Sequence, residues 1–334
     1  MTVRRTVSVC VVAALLASPA FAVTIETVPV GNPGNAGDSR YGGYGSVGYT
    51  YNIGKYEVTA GQYCEFLNAV AATDTYGLYN TNMWLGTYGC KIQRSGTSGN
   101  YTYSVSASMS AKPVTHINWG DAARFCNWLT NGQPVGPQGL DTTENGSYYL
   151  NGATSDAELL GIVRKGPSEG GRFYIPTEDE WYKAAYHKND GVTGNYWTYP
   201  TSSDAEPSSD LSDPDPGNTA NFYRGSGVGL AAVGGCENSP GPYGTFDQGG
   251  NVWEWNEAVF SGNRGLRGGG FGSDVSRLAA SYRHGRVPTR DYDSFGGDIG
   301  FRIVEIPEPA TWALLAAALA VVAHRRRGDQ RGRD

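Results

Sequence analysis

The stretch that decides the fold is residues 243–303, which read YGTFDQGGNVWEWNEAVFSGNRGLRGGGFGSDVSRLAASYRHGRVPTRDYDSFGGDIGFRI. It contains three motifs: DQGGNVWEW at 247–255, LRGGGF at 266–271 and GFRIV at 300–304. In the first motif, two acidic residues flank glycines and stand beside two tryptophans. Hard cations such as Ca²⁺ take oxygen ligands from carboxylates and backbone carbonyls, and glycine allows the bends that let carbonyls converge. The motif alone is compatible with a calcium site and with a glycine-rich turn anchored by its tryptophans.

The order and spacing of these motifs resemble the formylglycine-generating-enzyme family, also called the sulfatase-modifying-factor domain. Upstream segments agree with the same pattern, namely IGKYEVT at 53–59, the segment from KPV to the tryptophan at 112–119 and RFYIPTEDEW at 172–181. The resemblance spans about residues 45–305. It implies an α+β fold of the C-type-lectin-related kind, rich in irregular loops.

The resemblance also implies a calcium site in the first motif. Its ligands fall on the side chains of Asp247 and Glu254 and on the backbone carbonyls of Gly250 and Val252. All four positions are compatible with that role, because carboxylates and carbonyls are the oxygen donors that calcium prefers. Calcium is therefore the expected cofactor.

A second family calcium site would begin with the side chain of Asn221 and the carbonyl of Phe222. Its remaining ligands fall near Gly225 and Gly227, where the family has an acidic residue followed by an aromatic one. This departure puts the second site in doubt.

The catalytic residues of the family are absent. Formylglycine formation uses two cysteines, five positions apart, which bind copper, and these positions fall on Ser273 and Leu278. The serine of the family's Arg-Gly-Gly-Ser motif falls on Gly270. A thiolate is a soft ligand suited to Cu(I), which neither a hydroxyl nor a leucine side chain can replace. We therefore expect neither copper binding nor formylglycine-generating oxidase activity.

A ligand cleft is expected beside the first motif, formed by Trp253, Arg267, Tyr282, Arg283 and His284. Each of these residues also has a structural interpretation. The arginines would bond carboxylates and carbonyls in a loop-rich interior, and the tryptophan would pack in the core. Tyr282 and His284 could act as acid or base, although no carboxylate partner follows from the spacing.

Hydrophobic periodicity and capping signals predict three helices and two strands. Thr59 caps a helix that runs to about Ala71, and Asn118 caps a second helix from Trp119 to Leu129. Thr177 and Glu180 form a capping box at the start of a third helix, which ends at about Tyr186. The predicted strands are residues 51–58 and 172–175. Residues 23–306 form one domain, whose length is explained by polar insertions near 73–111, 131–170 and 188–218.

Both ends of the chain have the composition of targeting segments. Residues 1–22 place two arginines before an apolar run and a small-residue cleavage site, which is typical of a secretory signal peptide. Residues 307–327 join Pro-Glu-Pro, an apolar run at 311–323 and three arginines, and resemble a PEP-CTERM sorting tail. That resemblance implies an inner-membrane intermediate anchored transiently through 311–323, cleavage by an exosortase and release to the outer surface or extracellular matrix. A retained weak anchor is the alternative, since 311–323 is short for a spanning helix.

The charge of the chain argues against nucleic acid as a partner. The terminal segments hold seven basic and three acidic residues, so residues 23–306 retain 19 basic and 29 acidic residues, a formal net charge of −10. Nucleic-acid binding depends on clustered lysine and arginine, and no such cluster is found in this body. An acidic surface fits cation binding and solubility outside the cell.

Four cysteines remain once the signal peptide is removed: Cys64, Cys90, Cys126 and Cys236. An even number in an exported protein permits two disulfides with three possible connectivities. Cys64 and Cys126 fall in predicted helices beside phenylalanines, so buried free thiols are an equal alternative.

These features favour an exported, calcium-stabilised binding or structural module whose tyrosine-rich insertions contact a glycan or a surface protein. Tyrosines 76, 79, 88, 101 and 103 suit this role, because a rigid aromatic ring stacks while its hydroxyl bonds. There are two alternatives. The first is an enzyme with an altered active site, either an oxidoreductase of the formylglycine-generating type or a related metal-dependent enzyme. The second is a purely architectural envelope protein.

The terminal segments predict the mature product. We expect the exported chain to begin near Val23 and to end near Pro307. Intact-mass measurement of the exported protein tests both ends. A product that still contains residues 325–327 would contradict the predicted tail cleavage.

Overall fold

The computed structural model describes residues 22–223, 229–293 and 299–307. The α-helices in these ranges are α1 (Ala60–Val70), α2 (Asn82–Leu85), α3 (Ala107–Ser110), α4 (Trp119–Thr130), α5 (Asp156–Gly161) and α6 (Glu178–Tyr186), and short 3-10 helices span Pro167–Glu169 and Val275–Leu278. The strands are β1 (Thr27–Val30), β2 (Tyr51–Gly54), β3 (Gln93–Ser95), β4 (Thr102–Ser104), β5 (Phe173–Tyr174), β6 (Trp253–Phe260), β7 (Asn263–Arg267), β8 (His284–Arg286), β9 (Ile299–Gly300) and β10 (Val304–Glu305). Irregular backbone connects these short elements.

The three predicted helices form where their capping residues place them. Thr59 Oγ1 accepts from Gln62 N at 3.2 Å while Gln62 Oε1 accepts from Thr59 N at 2.8 Å, so α1 begins with a reciprocal capping box. Equivalent boxes open α4 and α6. Because these caps satisfy backbone N–H groups that have no partner within the helix, they define each helix start from local sequence alone.

Two four-stranded sheets organise the chain. The first has the order β1-β2-β10-β5, and Val304 of β10 pairs with Ile53 of β2 on one side and with Tyr174 of β5 on the other. The second has the order β8-β7-β6-β9, in which β9 pairs in parallel with β6. The carboxyl-terminal strand of the domain therefore completes a sheet begun near its amino terminus.

The main core is aromatic and lies between helices α1 and α4. The Phe66 ring contacts those of Phe125 and Trp128 at centroid distances of 5.3 and 5.2 Å, and Phe125 also meets Phe301 at 5.4 Å. All four side chains are buried. Aromatic pairs at these distances stabilise beyond their burial of apolar area, so the predicted apolar faces of the two helices meet here.

Several predicted boundaries differ from the structure. The strand predicted at 51–58 ends at Gly54, because the backbone bends at residues 55 and 56 before Val58 N bonds to Phe301 O. The strand predicted at 172–175 is reduced to Phe173–Tyr174. The insertion at 73–111 contains α2, α3 and the β3–β4 hairpin, elements too short to leave a strong periodic pattern.

Most of the predicted terminal segments lie outside the described residues. Only residue 22 of the signal peptide and residue 307 of the sorting tail are described, so the apolar run at 311–323 is not. Within the described ranges, helices fall short of the length and apolar character needed to span a bilayer. Cys64, Cys90, Cys126 and Cys236 are buried free thiols, which is the second of the two alternatives for the cysteines.

A buried ion pair joins the sheets to α6. Arg302 Nε and Nη2 donate to the two carboxylate oxygens of Glu254 at 2.6 and 2.7 Å, and both side chains are fully buried. Arg302 also donates to the carbonyls of Gly54 and Phe246, each at 2.9 Å, while Trp181 Nε1 donates to Glu254 at 2.7 Å. The pair therefore links β6, the end of β2, the 246 turn and α6.

Replacing Arg302 by methionine tests this linkage. Arg302→Met leaves the Glu254 carboxylate buried without its cation, and we expect a loss of about 3–5 kcal/mol in the free energy of unfolding. Chemical denaturation measures that loss. The matched control is Arg172→Met, because Arg172 pairs with Glu305 at 2.7 Å with a side chain that is 56% exposed; about 0–1 kcal/mol is expected there. Equal losses would contradict the proposed linkage.

Candidate functional site

The DQGGNVWEW turn depends on left-handed backbone. Asp247, Gly250 and Asn251 have φ of 59°, 86° and 58°. A Cβ on Gly250 would lie 2.3 Å from the carbonyl oxygen of Asn221, so this position requires glycine. Asn251 N bonds to that same carbonyl at 2.7 Å, and Asn251 O accepts from Phe271 N at 2.9 Å. The turn is thereby held against its neighbouring loops.

Three carboxylates lie near one another at this turn, of which Glu57 and Glu254 are buried and Asp247 is half-buried. Asp247 and Glu254 are joined by Glu57, which the sequence analysis did not single out, and the charge of each of these two acts on Glu57. Asp247 Oδ2 accepts from Gly234 N at 2.5 Å, and Glu57 Oε1 accepts from Asn251 Nδ2 at 3.1 Å. Glu57 Oε2 is buried with no partner in the described residues. A buried acceptor of this kind is costly unless a donor or cation faces it.

The electrostatics of the cluster show a deficit of positive charge. Burial raises the pKa of Asp247 to about 6, with a further contribution from Glu254, while the hydrogen bond from Gly234 and the charge of Arg302 oppose the shift. Burial also raises the pKa of Glu57 well above its usual range, and Asp247 is the next cause. One guanidinium thus faces three carboxylates, and an additional cation would reverse these shifts.

The predicted calcium ligands are brought together in part. Asp247 and Glu254 both belong to the cluster, and the backbone of Gly250 and Val252 lies on the turn between them. Both carboxylate oxygens of Glu254, however, already accept from Arg302. A calcium ion would have to share that carboxylate with the guanidinium. Across residues 22–223, 229–293 and 299–307, histidine, cysteine and acidic side chains form no group of three suited to a metal ion. The calcium site stays a prediction.

The second predicted calcium site cannot be followed to its end. The Asn221 side chain donates to Gly229 O at 2.9 Å and to Asn251 Oδ1 at 3.1 Å, which ties it to the first turn. Phe222 is half-buried beside it. Gly225 and Gly227 lie outside the described residues.

The two positions that the sequence analysis assigned to the copper-binding cysteines, Ser273 and Leu278, are closed. Ser273 is 2% exposed, and its hydroxyl accepts from Gly270 N at 2.9 Å. Leu278 is fully buried in an apolar cluster with Tyr199, Ala220 and Ala279. Since one position is hydrogen-bonded within its own loop and the other is packed in apolar surroundings, neither offers a soft ligand to a metal.

The predicted cleft residues separate into two groups. Trp253, Tyr282 and His284 form an aromatic cluster in which the indole lies 5.1 Å from the imidazole and 5.9 Å from the phenol ring. The indole is fully buried, whereas the other two rings are partly exposed. His284 Nε2 lies 3.3 Å from Asp293 Oδ1, a carboxylate partner that the spacing did not reveal.

Arg267 and Arg283 converge instead on Glu178. The shortest contacts from their guanidinium nitrogens to its carboxylate are 2.7 and 2.6 Å. Arg267 also donates to the carbonyls of Ala280 and Tyr282 and is buried. This is the structural role that the sequence analysis offered as the alternative for the arginines.

The five tyrosines proposed to contact a ligand differ in how deeply they are buried. Tyr79 and Tyr103 are buried, with hydroxyls that donate to the carbonyls of Ile92 and Ala71, so they belong to the core. The other three are half-buried. The Arg94 guanidinium lies 4.3 Å from the Tyr101 ring and 4.7 Å from the Tyr79 ring, so the insertion has its own packing.

With this geometry described, comparison with known families is informative. A profile of the sulfatase-modifying factor enzyme 1-like domain matches residues 46–306. The chain belongs to this family. The resemblance drawn from the three motifs is confirmed, and so is the α+β fold with its irregular loops.

Two solved structures share the fold of this sulfatase-modifying-factor-like domain. CarF matches with a TM-score of 0.51 and 21% identity, covering 85% of this chain and 99% of its own. Treponema denticola variable protein 1 matches with a TM-score of 0.52 and 19% identity, covering 87% and 98%. At these identities the likeness shows the fold alone. A search of curated proteins found no match.

The sequence analysis missed two site residues, Glu57 and Glu178, and only the first of them left a signal in the sequence pattern. Glu57 follows Tyr51 and Ile53 in the alternation of the predicted strand, so an acidic residue occupied a buried phase. Glu178 stands in the first turn of a predicted helix, where an acidic residue is ordinary, and only the fold shows that it faces two arginines.

The closed cysteine positions lead to a chemical prediction. Purified protein supplied with Cu(I) and oxygen should leave a cysteine-containing sulfatase peptide unconverted, because Ser273 and Leu278 provide no thiolate. Aldehyde trapping followed by mass spectrometry of the peptide measures the outcome. Formylglycine above the level of a no-protein control would show that the activity persists by another route.

Proposed function

We propose that this sulfatase-modifying-factor-like domain is an exported binding module, stabilised by calcium, that contacts a glycan at the cell surface or in extracellular matrix. The carrying observation is the closure of the family's copper positions by a hydrogen-bonded serine and a packed leucine. A scaffold that keeps its fold without its catalytic ligands retains the loops on its surface, and binding residues are concentrated on such loops.

Export and tail processing are supported by the terminal segments of the sequence. The signal peptide at 1–22 directs export, and an exosortase-type protease would process the tail at 307–327 after transient anchoring through 311–323. The acidic body and the lack of basic clusters favour a partner other than nucleic acid.

Calcium is supported by the charge deficit at the DQGGNVWEW turn. Buried Glu57 and Glu254 and half-buried Asp247 share one arginine, and one oxygen of Glu57 has no described partner. A divalent cation bound by Asp247 and the carbonyls of Gly250 and Val252 would neutralise this cluster and stabilise the turn. Calcium at this turn would stabilise the folded domain, whereas the ligand would be bound by the surface loops.

An enzyme with altered chemistry is the second candidate, because one observation favours it. His284 is 22% exposed on its side chain and lies 3.3 Å from the carboxylate of Asp293. A carboxylate that orients a histidine is a common arrangement for acid–base chemistry. Copper binding and oxygen consumption by the purified protein would support an oxidoreductase and argue against the binding module.

The direct test of the proposal is an array of neutral and acidic glycans probed with the labelled, purified protein. Saturable binding to one structural class of glycan supports the module. Absence of binding to every glycan, in protein that melts cooperatively, would overturn the glycan part of the proposal.

Chelation tests the calcium part. We expect EDTA to lower the melting temperature of the wild-type protein by a few degrees and added Ca²⁺ to restore it, since ligand at a hundredfold excess over Kd stabilises by about 2.7 kcal/mol. Asp247→Asn and Glu254→Gln should lose most of this response. The Glu254 variant is also destabilised at the start, because its carboxylate pairs with Arg302, so the difference between calcium and EDTA is the informative quantity.

Glu257→Gln is the matched control for this measurement. Glu257 is a carboxylate on the same strand, β6, but it accepts from Tyr148 at 2.6 Å and faces Arg164 at 3.5 Å. Its variant should keep the full calcium response. Identical melting of wild-type protein with and without EDTA, in a sample shown by elemental analysis to start calcium-loaded, would refute the site.

A further inference from the structure

A cavity of about 540 Å³ lies where two of the insertions meet the domain body. Its wall includes Tyr88 and Lys91 from the first insertion, Met109 and Lys112 from α3 and the segment after it, Leu211 from the third insertion, and Leu230. The volume is within the range of pockets that hold small ligands. Because the wall comes from segments far apart in sequence, the pocket exists only in the folded domain.

The pocket has a positive charge in an otherwise acidic protein. Two lysines line it, and the described residues lining it include no acidic side chain. Lys91 Nζ donates to the carbonyls of Gly86 and Trp84 at 2.6 and 3.3 Å, and Lys112 Nζ makes no hydrogen bond within the described residues. Neither forms an ion pair there, although most other arginines and lysines of the body do. Both ammonium groups therefore retain donors for an anion.

The backbones of both lysines are held in place. Lys91 has a φ of 61°, and its N–H bonds to Met83 O at 2.7 Å. Lys112 O accepts from Ala60 N at 2.8 Å, and Lys112 N donates to Met109 O at 3.0 Å, which ties this residue to the start of α1. Fixed attachment points reduce the entropy that a ligand must overcome when it orders the two side chains.

Aromatic and apolar side chains also line the pocket. The Tyr88 ring packs against Phe271 at 5.1 Å, and Met109, Leu211 and Leu230 belong to the same lining, with Thr87 as a further polar side chain. Two lysines and a tyrosine in the lining of one pocket match a ligand that joins a carboxylate to a ring with both polar and apolar faces. A uronic acid has this chemistry, because its ring C–H face can stack on an aromatic side chain while its carboxylate pairs with the ammonium groups.

We propose that this pocket binds an acidic saccharide, with Lys91 and Lys112 holding a uronate carboxylate and the Tyr88 ring supporting the sugar. The inference rests on the proposed glycan-binding function and adds to it the class of glycan and the place where it binds. It does not depend on the calcium cluster.

Isothermal titration of the purified protein with digalacturonic acid and with its neutral counterpart, galactosyl-galactose, tests the charge requirement. We expect the acidic disaccharide to bind about tenfold or more tightly than the neutral one, the size of effect that a charged hydrogen bond contributes. Lys91→Gln and Lys112→Gln should each weaken the acidic ligand by about the same factor. Lys112→Arg, which keeps the positive charge, should retain most of the binding.

Lys188→Gln is the matched control. Lys188 pairs with Asp204 and lines a separate pocket, so its variant should bind as the wild type does. Melting temperatures of all variants verify that they fold. Equal affinity for the acidic and neutral disaccharides, or wild-type binding by both glutamine variants, would overturn the proposal.

Two further titrants identify the source of the carboxylate. Sodium benzoate that binds as tightly as digalacturonic acid would overturn the saccharide in favour of simple organic anions, and a hexaglutamate peptide that alone binds would overturn it in favour of an acidic protein. Array binding confined to neutral glycans would overturn this inference and leave the proposed function standing. Absence of binding to any glycan would overturn both.

Discussion

The buried pair of Arg302 and Glu254 is the interaction on which the rest of the domain depends. Its partners lie on β6, at the end of β2, in the 246 turn and on α6, so one guanidinium and one carboxylate join elements that otherwise share little regular structure. A buried ion pair is tolerated only when its remaining hydrogen-bonding capacity is met. Here the Trp181 indole donates to the carboxylate, and the guanidinium donates to the carbonyls of Gly54 and Phe246. This requirement explains why a tryptophan from the distant helix α6 contacts the ion pair.

The same requirement shapes the glycine-rich turn beside the pair. Gly250 and Gly268 are approached by the carbonyls of Asn221 and Gln248 at distances that no side chain would allow. Loops can therefore pack directly on one another where a sheet or helix would keep them apart. The consequence is an interior that holds several carboxylates, and the raised pKa values of Glu57 and Asp247 follow from burial and mutual repulsion.

The two positions predicted to match the family's cysteines are part of this framework. Leu278 packs in an apolar cluster, and Ser273 bonds within its loop, so both side chains satisfy local packing and hydrogen bonding. The long insertions attach to the framework through their own hydrogen bonds and aromatic contacts. A rigid centre with variable loops is an arrangement that supports changes of ligand without changes of fold.

Local patterns in the sequence were sufficient for the family, the α+β class and the three capped helices, because motifs, caps and periodicity are written in neighbouring residues. They were insufficient for strand ends such as Gly54, after which the backbone bends before Val58 bonds to the distant Phe301. Tertiary structure alone decided that Glu57 joins Asp247, that Glu178 draws Arg267 and Arg283 away from a cleft, and that Tyr79 and Tyr103 are core residues. It alone placed Lys91 and Lys112 in the lining of one pocket. Charge pairing and cavity walls join residues distant in sequence, and no local pattern specifies which of them will meet.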